Sequence, residues 1–496
     1  MENADSLHLD FEACDRARLA QDPRFDGRFF IGVTSTGIYC RPICPAPTAK
    51  QRNVRYFPSA AAAAEAGFRP CLRCRPEAAP GTPAWLGTSA TVRRALRLIQ
   101  EGALDTESVE QLAARLGIGP RHLHRLFVQH LGASPLAVAQ TRRLHFAKHL
   151  IDDTRLAMTD IALASGFGSL RRFNDAFRNT YGRTPRDLRR ARRGEVVADD
   201  VLRMRLAYRP PYDWTAIRDF LQLRAIPGVE RVDADSYARS VSVGHKQGWI
   251  EVRPVPDVDA LELAVHGLGA EALFGVVSRV RQMFDLSADP AEVRGVLRKD
   301  PLLTPLLKRR PGLRVPGAWD GFEIAVRAVL GQQVSVAAAR TFAARIVEAH
   351  GMPLWSPREG LTHLFPGPEI MARANLGRVG LTGARAETLR SLAIATRDGR
   401  VDFADPEGLR AALLDVPGIG PWTAEYVAMR GLSDPDAFPA GDLVLQRMAG
   451  EGTRLSEKQL LARAEQWRPW RAYAVLHLWR ASSDAAPLKQ KARRQA

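Results

Sequence analysis

Four of the chain's five cysteines fall inside one short segment, as a Cys40-x3-Cys44 pair and a Cys71-x2-Cys74 pair. No other feature constrains the fold as much. Two such pairs supply the soft thiolates of a tetrahedral zinc site. Residues 1–78 are therefore expected to form a small α+β domain around one zinc ion with four cysteine ligands. The plainer alternative is a site that only staples the fold. Met1 is followed by acidic rather than basic residues, and no apolar run approaches a membrane span. Both features point to a cytoplasmic protein with no membrane partner, where a disulfide framework is not expected.

At 496 residues the chain is long enough for several domains. Its formal net charge of +17 and pI near 10.2 call for a polyanionic partner. Arginine dominates the basic set, which suits bidentate contacts to phosphate and guanine.

The words around the cysteines add chemistry. They are Phe29-Phe30-Ile31-Gly32-Val33, Thr36-Gly37-Ile38-Tyr39-Cys40-Arg41-Pro42-Ile43-Cys44-Pro45 and Ala66-Gly67-Phe68-Arg69-Pro70-Cys71-Leu72-Arg73-Cys74. This segment resembles the N-terminal domain of the Ada family. The resemblance implies that the first ligand, Cys40, takes a methyl group from a methylated DNA phosphate. Zinc keeps such sulfurs deprotonated at neutral pH. Methylation would remove one negative charge from a surface facing DNA, which makes the site an electrostatic switch.

Residues 79–83 read as a linker, and residues 85–193 as an all-α region with an internal repeat. Each unit has a helix, a short glycine turn and a second helix. The turns are Gly117-Ile118-Gly119 and Gly166-Phe167-Gly168, and the second helices run over about 120–131 and 169–181. Two such units with matching terminators resemble the AraC-type double helix-turn-helix. Leu123, Leu126, Phe127, Phe173 and Phe177 keep core spacing. The face left over offers Arg121, His122, Arg125, Arg171, Arg172 and Asn174 to base edges and phosphates. The arginine run 186–193 is either a solvated helix end or a further phosphate contact.

Residues 200–285 alternate like strands, with a helix from Trp214, and read as a second small α+β domain. Residues 286–485 read as nearly all helix. Inside them Pro417-Gly418-Ile419-Gly420 is a tight turn between two apolar helical segments. Glycines there let backbone N–H groups crowd one point at a helix start, a grip on phosphate that ignores sequence. Gly418 and Gly420 are the contact residues. A carboxylate, Asp442, follows Phe438-Pro439-Ala440-Gly441 about one helix later. The combination resembles the helix-hairpin-helix glycosylase superfamily. Gln332-Gln333-Val334-Ser335 narrows it to the AlkA-like branch, which acts on 3-methyladenine and related alkylated bases.

That resemblance implies a catalytic role for Asp442 and a base pocket made by Phe220, Trp422, Tyr426 and Trp479, with Gln333 wedged into the emptied stack. Ordinary core packing is the competing reading for each aromatic. Trp422 and Tyr426 are four apart and share one helix face just past the turn, which favours the pocket. Members of the superfamily that also cut the strand carry a lysine two residues beyond the last glycine of the turn. Trp422 stands there, so a monofunctional glycosylase is expected. The Pro-Cys-His-Arg motif of the other half of Ada-type proteins is absent. The expected whole is a multidomain, bifunctional adaptive-response protein. Its partners are double-stranded DNA, alkylated or promoter, and RNA polymerase when it activates. The alternative is a transcription regulator whose glycosylase-like region is catalytically silent.

Overall fold

In the computed structural model the described residues are 10–80, 90–100, 102–154, 156–190, 201–451 and 453–495. Residues 81–83 of the expected linker and 191–193 of the arginine run lie outside them. The chain forms two compact units. The first takes the described residues up to Pro210, with Val255–Ser278 and Leu286–Ala288. The second takes Pro211–Pro254, Arg279–Asp285 and the described residues from Asp289 onwards.

The first unit begins with a four-stranded sheet. Phe30–Val33 pairs antiparallel with Ile38–Cys40 on one side and Val54–Phe57 on the other. Arg69–Pro70 adds in parallel beside Ile38–Cys40, with Tyr39 opposite Pro70. Cys40 thus ends one strand and Cys71 follows the next. The Cys71 amide donates to the Tyr39 carbonyl at 2.9 Å. Register alone brings the two cysteine pairs together.

Helices follow. Val109–Arg115 opens with a capping box on Ser108, and Pro120–Leu131 starts with proline in its first turn, as its missing N–H allows. Met158–Ala164 and Leu170–Tyr181 repeat the pattern. Gly117, Gly132, Gly166 and Gly182 all hold positive φ, the left-handed backbone that ends a helix most cheaply with glycine. The 19-residue helix Pro135–Asp153 links the two helix-turn-helix units within this body. The same body contains the antiparallel pair Leu202–Ala207 and Ala260–His266.

The second unit has the antiparallel run Glu230–Val232, Tyr237–Val243 and Lys246–Pro254, with the helix Trp214–Gln222 capped by Asp213. Its remaining elements are mainly helices, among them Gly321–Leu330, Val336–His350, Gly383–Arg397, Leu409–Leu414, Pro421–Gly431, Leu443–Ala449 and Arg471–Gln495. The nearly all-helical reading of residues 286–485 needs one correction. Met352–Arg358 and Leu361–Leu364 form a β-hairpin around Gly360 at φ 78°. Pro353 and Pro357 lack the N–H a helix needs, and the glycine supplies the turn.

Candidate functional site

In the first unit the four cysteine sulfurs lie within 4.8 Å of one another, with those of Cys44 and Cys71 4.0 Å apart. Four sulfurs about 2.3 Å from one ion would be spaced by roughly 3.8 Å, so the cluster fits a zinc ion. Cys71 and Cys74 are buried, and Cys40 and Cys44 are half-buried at the edge. The Arg41 amide donates to the Cys74 sulfur at 3.3 Å, and its guanidinium is tied to Asp26 and to the Cys74 carbonyl. Arg41 thus braces the cluster instead of reaching outwards. The four sulfurs sit close enough to hydrogen-bond to one another. Hydrogen bonding with Cys40 and the other two holds Cys71 down, while the same contacts push Cys74 up. A divalent ion resolves that conflict by favouring thiolate at every position.

The helix-turn-helix candidates divide cleanly by exposure. Leu123, Phe127, Phe173 and Phe177 are fully buried. Arg121, His122, Arg125, Arg171 and Arg172 are exposed, and Asn174 is half-buried. Arg125 and His122 already share a 2.9 Å hydrogen bond. Arg189, from the arginine run, turns back to donate to the Leu156 carbonyl at 2.8 Å.

In the second unit, the turn between Leu409–Leu414 and Pro421–Gly431 places Gly418 at φ 87°. A Cβ there would meet Thr388 Oγ1 at 2.0 Å, so both conformation and space demand glycine. Gly420 caps the following helix, with nothing within 4 Å of where its Cβ would stand. The first amides of that helix have no partner within it, and the space beside Gly420 is open.

Behind the turn lies a cleft of about 990 Å³. Phe220, Gln333, Trp422, Tyr426, Asp442 and Trp479 all line it, with Gly418 and Gly420 at its edge. The Trp422 and Tyr426 rings stack at 5.2 Å and 12°, as their four-residue spacing implies, and Trp479 stands 6.2 Å from Tyr426 at 45°. Asp442 caps the helix Leu443–Ala449. Its Oδ1 accepts from the Val444 and Leu445 amides at 2.9 and 3.0 Å. The indoles of Trp422 and Trp479 donate to its two oxygens, each at 3.2 Å. Two backbone and two indole N–H groups thus fix one carboxylate among aromatic walls.

Several cleft residues escaped the sequence reading. Arg224 lies over the Phe220 ring at 3.7 Å, and Arg430 over the same ring at 4.8 Å. Arg430 donates to the Tyr426 hydroxyl at 2.8 Å. Burial pushes the Tyr426 phenol up, but the two guanidiniums outweigh it and bring it below its ordinary value. Each arginine stands four residues after an expected pocket aromatic, so helical spacing could have found both. Deeper in, Arg327 donates to Glu323 at 3.0 Å, to Glu230 at 2.5 Å and to the Arg224 carbonyl at 2.8 Å. Burial favours the neutral form of Glu323, yet Arg239 and Arg327 hold it down at about 2. The pairs are satisfied on every side, as buried charges require. They fix the end of the helix that carries Phe220.

Gln333 is exposed and has φ 54°, costly for a residue other than glycine. Gln332 holds this loop by donating to the Gly418 carbonyl at 3.1 Å and to Thr423 Oγ1 at 3.0 Å. Arg385 donates to the Gln332 carbonyl at 2.7 Å. The loop and the hairpin are therefore pinned to each other.

Comparison with known proteins gives three family matches: the metal binding domain of Ada over residues 13–77, a helix-turn-helix domain over 112–191 and the AlkA N-terminal domain over 203–320. A probable bifunctional transcriptional activator/DNA repair enzyme AlkA of Mycobacterium tuberculosis is 42% identical over 481 residues, covering 95% of this chain and 97% of that protein. DNA-3-methyladenine glycosylase 2 of Escherichia coli is 38% identical over 283 residues, 55% of this chain and 95% of that one. Among solved structures, a 3-methyladenine DNA-glycosylase from Archaeoglobus fulgidus superposes with a TM-score of 0.50 at 22% identity, covering 55% of this chain and 96% of that one. At that identity the last match speaks for the fold alone.

Proposed function

The chain belongs to the family of bifunctional transcriptional activator/DNA repair enzymes, and from that premise we propose a residue-level reading of its two activities. The second unit excises alkylated bases of the 3-methyladenine type from double-stranded DNA. The hairpin amides around Gly418 and Gly420 grip a phosphate, and the target nucleotide leaves the stack and enters the cleft. Its base stacks among Trp422, Tyr426 and Trp479, while Gln333 fills part of the vacated space. As the bond from C1′ to the base nitrogen breaks, positive charge grows on the sugar, 3.2 Å-class contacts hold the Asp442 carboxylate to meet it, and water completes the exchange. The products are the free base and an abasic site.

The observation that carries this reading is the convergence of four N–H donors on Asp442 inside an aromatic cleft behind the hairpin. Trp422 occupies the position of the lyase lysine, and no lysine is among the described residues lining the cleft. Both features support monofunctional hydrolysis. DNA treated with methylating agent and then with the protein should nick only after alkali. A covalent adduct trapped by borohydride on abasic DNA would overturn this.

In the first unit, Cys40 accepts one methyl group per chain from a DNA methylphosphotriester. The carbon–oxygen bond to the phosphate breaks, the carbon–sulfur bond forms, and a phosphodiester anion leaves. Bound zinc supplies deprotonated, electron-rich sulfur at this site. The Cys40 sulfur ends as a thioether, so the domain loses one negative charge and is repelled less by DNA. The exposed arginines of the two helix-turn-helix units, with His122 and Asn174, then hold promoter DNA. RNA polymerase is the partner of the activating form.

A further inference from the structure

The segment that follows the strand Ala260–His266 packs against the helix-turn-helix region. The turn Ala270–Ala272 lies on the helix Met158–Ala164, and Phe274 reaches the linking helix Pro135–Asp153. Phe274 meets the buried Phe146 edge-on at 4.9 Å and 89°. The Arg142 guanidinium sits over the Phe274 ring, 4.2 Å from its centre. This aromatic residue belongs to the stretch matched by the AlkA N-terminal domain, not to the stretch matched by the helix-turn-helix domain.

Arg142 is the hub of the DNA-binding region. One of its nitrogens donates to the Ile99 carbonyl at 2.7 Å, and another pairs with the Asp105 carboxylate. Arg143 adds a further hydrogen bond to Asp105 at 2.6 Å. Asp105 precedes the first helix-turn-helix unit and abuts the glycine turn of the second. A Cβ at Gly166 would come within 2.5 Å of the Asp105 carboxyl carbon. One ion pair therefore touches the helix before the first unit, the linking helix and the turn of the second unit. A guanidinium that faces an aromatic ring on one side and a carboxylate on another loses most of its freedom to move.

We infer that Phe274 is a positioning residue for promoter recognition: seated on Arg142, it holds the Arg142–Asp105 pair that sets the two helix-turn-helix units relative to each other. The regulatory half of the chain would then depend on a residue contributed by the glycosylase-type segment. DNA with two half-sites is sensitive to the angle between two reading helices, since a small rotation moves one of them out of its groove. This inference rests on the proposed role of the helix-turn-helix units.

The test uses the full-length, zinc-loaded, methylated chain and a duplex selected in vitro for binding to it. Phe274→Leu keeps apolar bulk and removes the ring, whereas Phe274→Tyr keeps the ring. The expected result is a loss of promoter affinity on the order of fivefold for Phe274→Leu, with little change for Phe274→Tyr. Footprinting of the leucine variant should show protection weakened at one half-site more than at the other. Base release and methyl uptake should match the wild type, because Phe274 belongs to neither site. Wild-type protein that selects no duplex would sink the regulatory reading itself. Equal promoter affinity for the wild type and Phe274→Leu would overturn only this inference. So would equal losses in both variants, or a leucine variant that also loses base release or methyl uptake, since each marks a general defect of folding.

Discussion

In the proposed reading Cys40 and Asp442 both address damaged DNA, yet their sites are assembled in opposite ways. The four sulfurs come from 35 positions of chain, residues 40–74, gathered by the register of two short strands. The cleft around Asp442 draws on residues from Phe220 to Trp479, and buried ion pairs and shared hydrogen bonds keep them aligned. The chemistry explains the difference. A sulfur that ends as a thioether reacts once, so it needs only activation and an open edge. A carboxylate that turns over must admit a base, act on it and release it, which calls for a shaped cavity with fixed walls. The lesson is that a single-use site can be local, whereas a recurrent one recruits the whole domain.

Three changes would break or sharpen that contrast. The largest effect is expected from Cys71→Ala. Removing one of four ligands should abolish zinc retention and all methyl uptake, while base release stays within about twofold of normal. Metal analysis and release assays on the same sample check both halves, and a variant that retains one zinc per chain would contradict the local-cluster account.

The second concerns acid. His477 is buried in the second unit, and burial pushes its imidazole down to about 4, with Arg310 adding to the effect. The folded state therefore binds fewer protons than the unfolded state between about pH 6.5 and 4. The stability this neutral imidazole allows is present above pH 6.5 and lost as pH falls towards 4, by up to roughly 3 kcal/mol. Melting of the second unit should show this loss, and His477→Leu should flatten it. An identical acid profile in that variant would remove His477 from the account.

The smallest effect is the most diagnostic of the cleft. Trp479→Phe keeps an aromatic wall but deletes the indole N–H on Asp442. A hydrogen bond to a charged group is worth about 1.5–3 kcal/mol, so kcat should fall roughly tenfold or more with KM little changed. Loss confined to KM would make Trp479 a base-stacking wall only.

The same contrast governs what could be read from the residues. The cysteine spacing, the paired glycine turns and the Pro-Gly-x-Gly turn each encode their geometry within a few positions, so zinc site, helix-turn-helix units and hairpin were all legible. Trp422 and Tyr426 were legible through their four-residue spacing. Arg224 and Arg430 carry the same spacing, but charged side chains usually face water, so the spacing alone does not mark them as cleft residues. The Glu230–Arg327–Glu323–Arg239 network joins residues up to 97 positions apart, and no local pattern announces it. The hairpin at 352–364 was masked by the helices around it, although its two prolines mark it. Among the described residues no helix is long and apolar enough to cross a membrane.

The central claim is that Asp442 performs base excision in a chain that separately takes up methyl groups on Cys40. It is tested most directly by Asp442→Asn, assayed for 3-methyladenine release, DNA binding and methyl uptake on one methylated DNA substrate. The amide keeps the shape of the side chain and removes the charge that meets the cationic sugar. The account predicts that base release falls about a hundredfold or more, while DNA binding and a single methyl on Cys40 persist. Near-normal release by this variant, at matched stability, would contradict it.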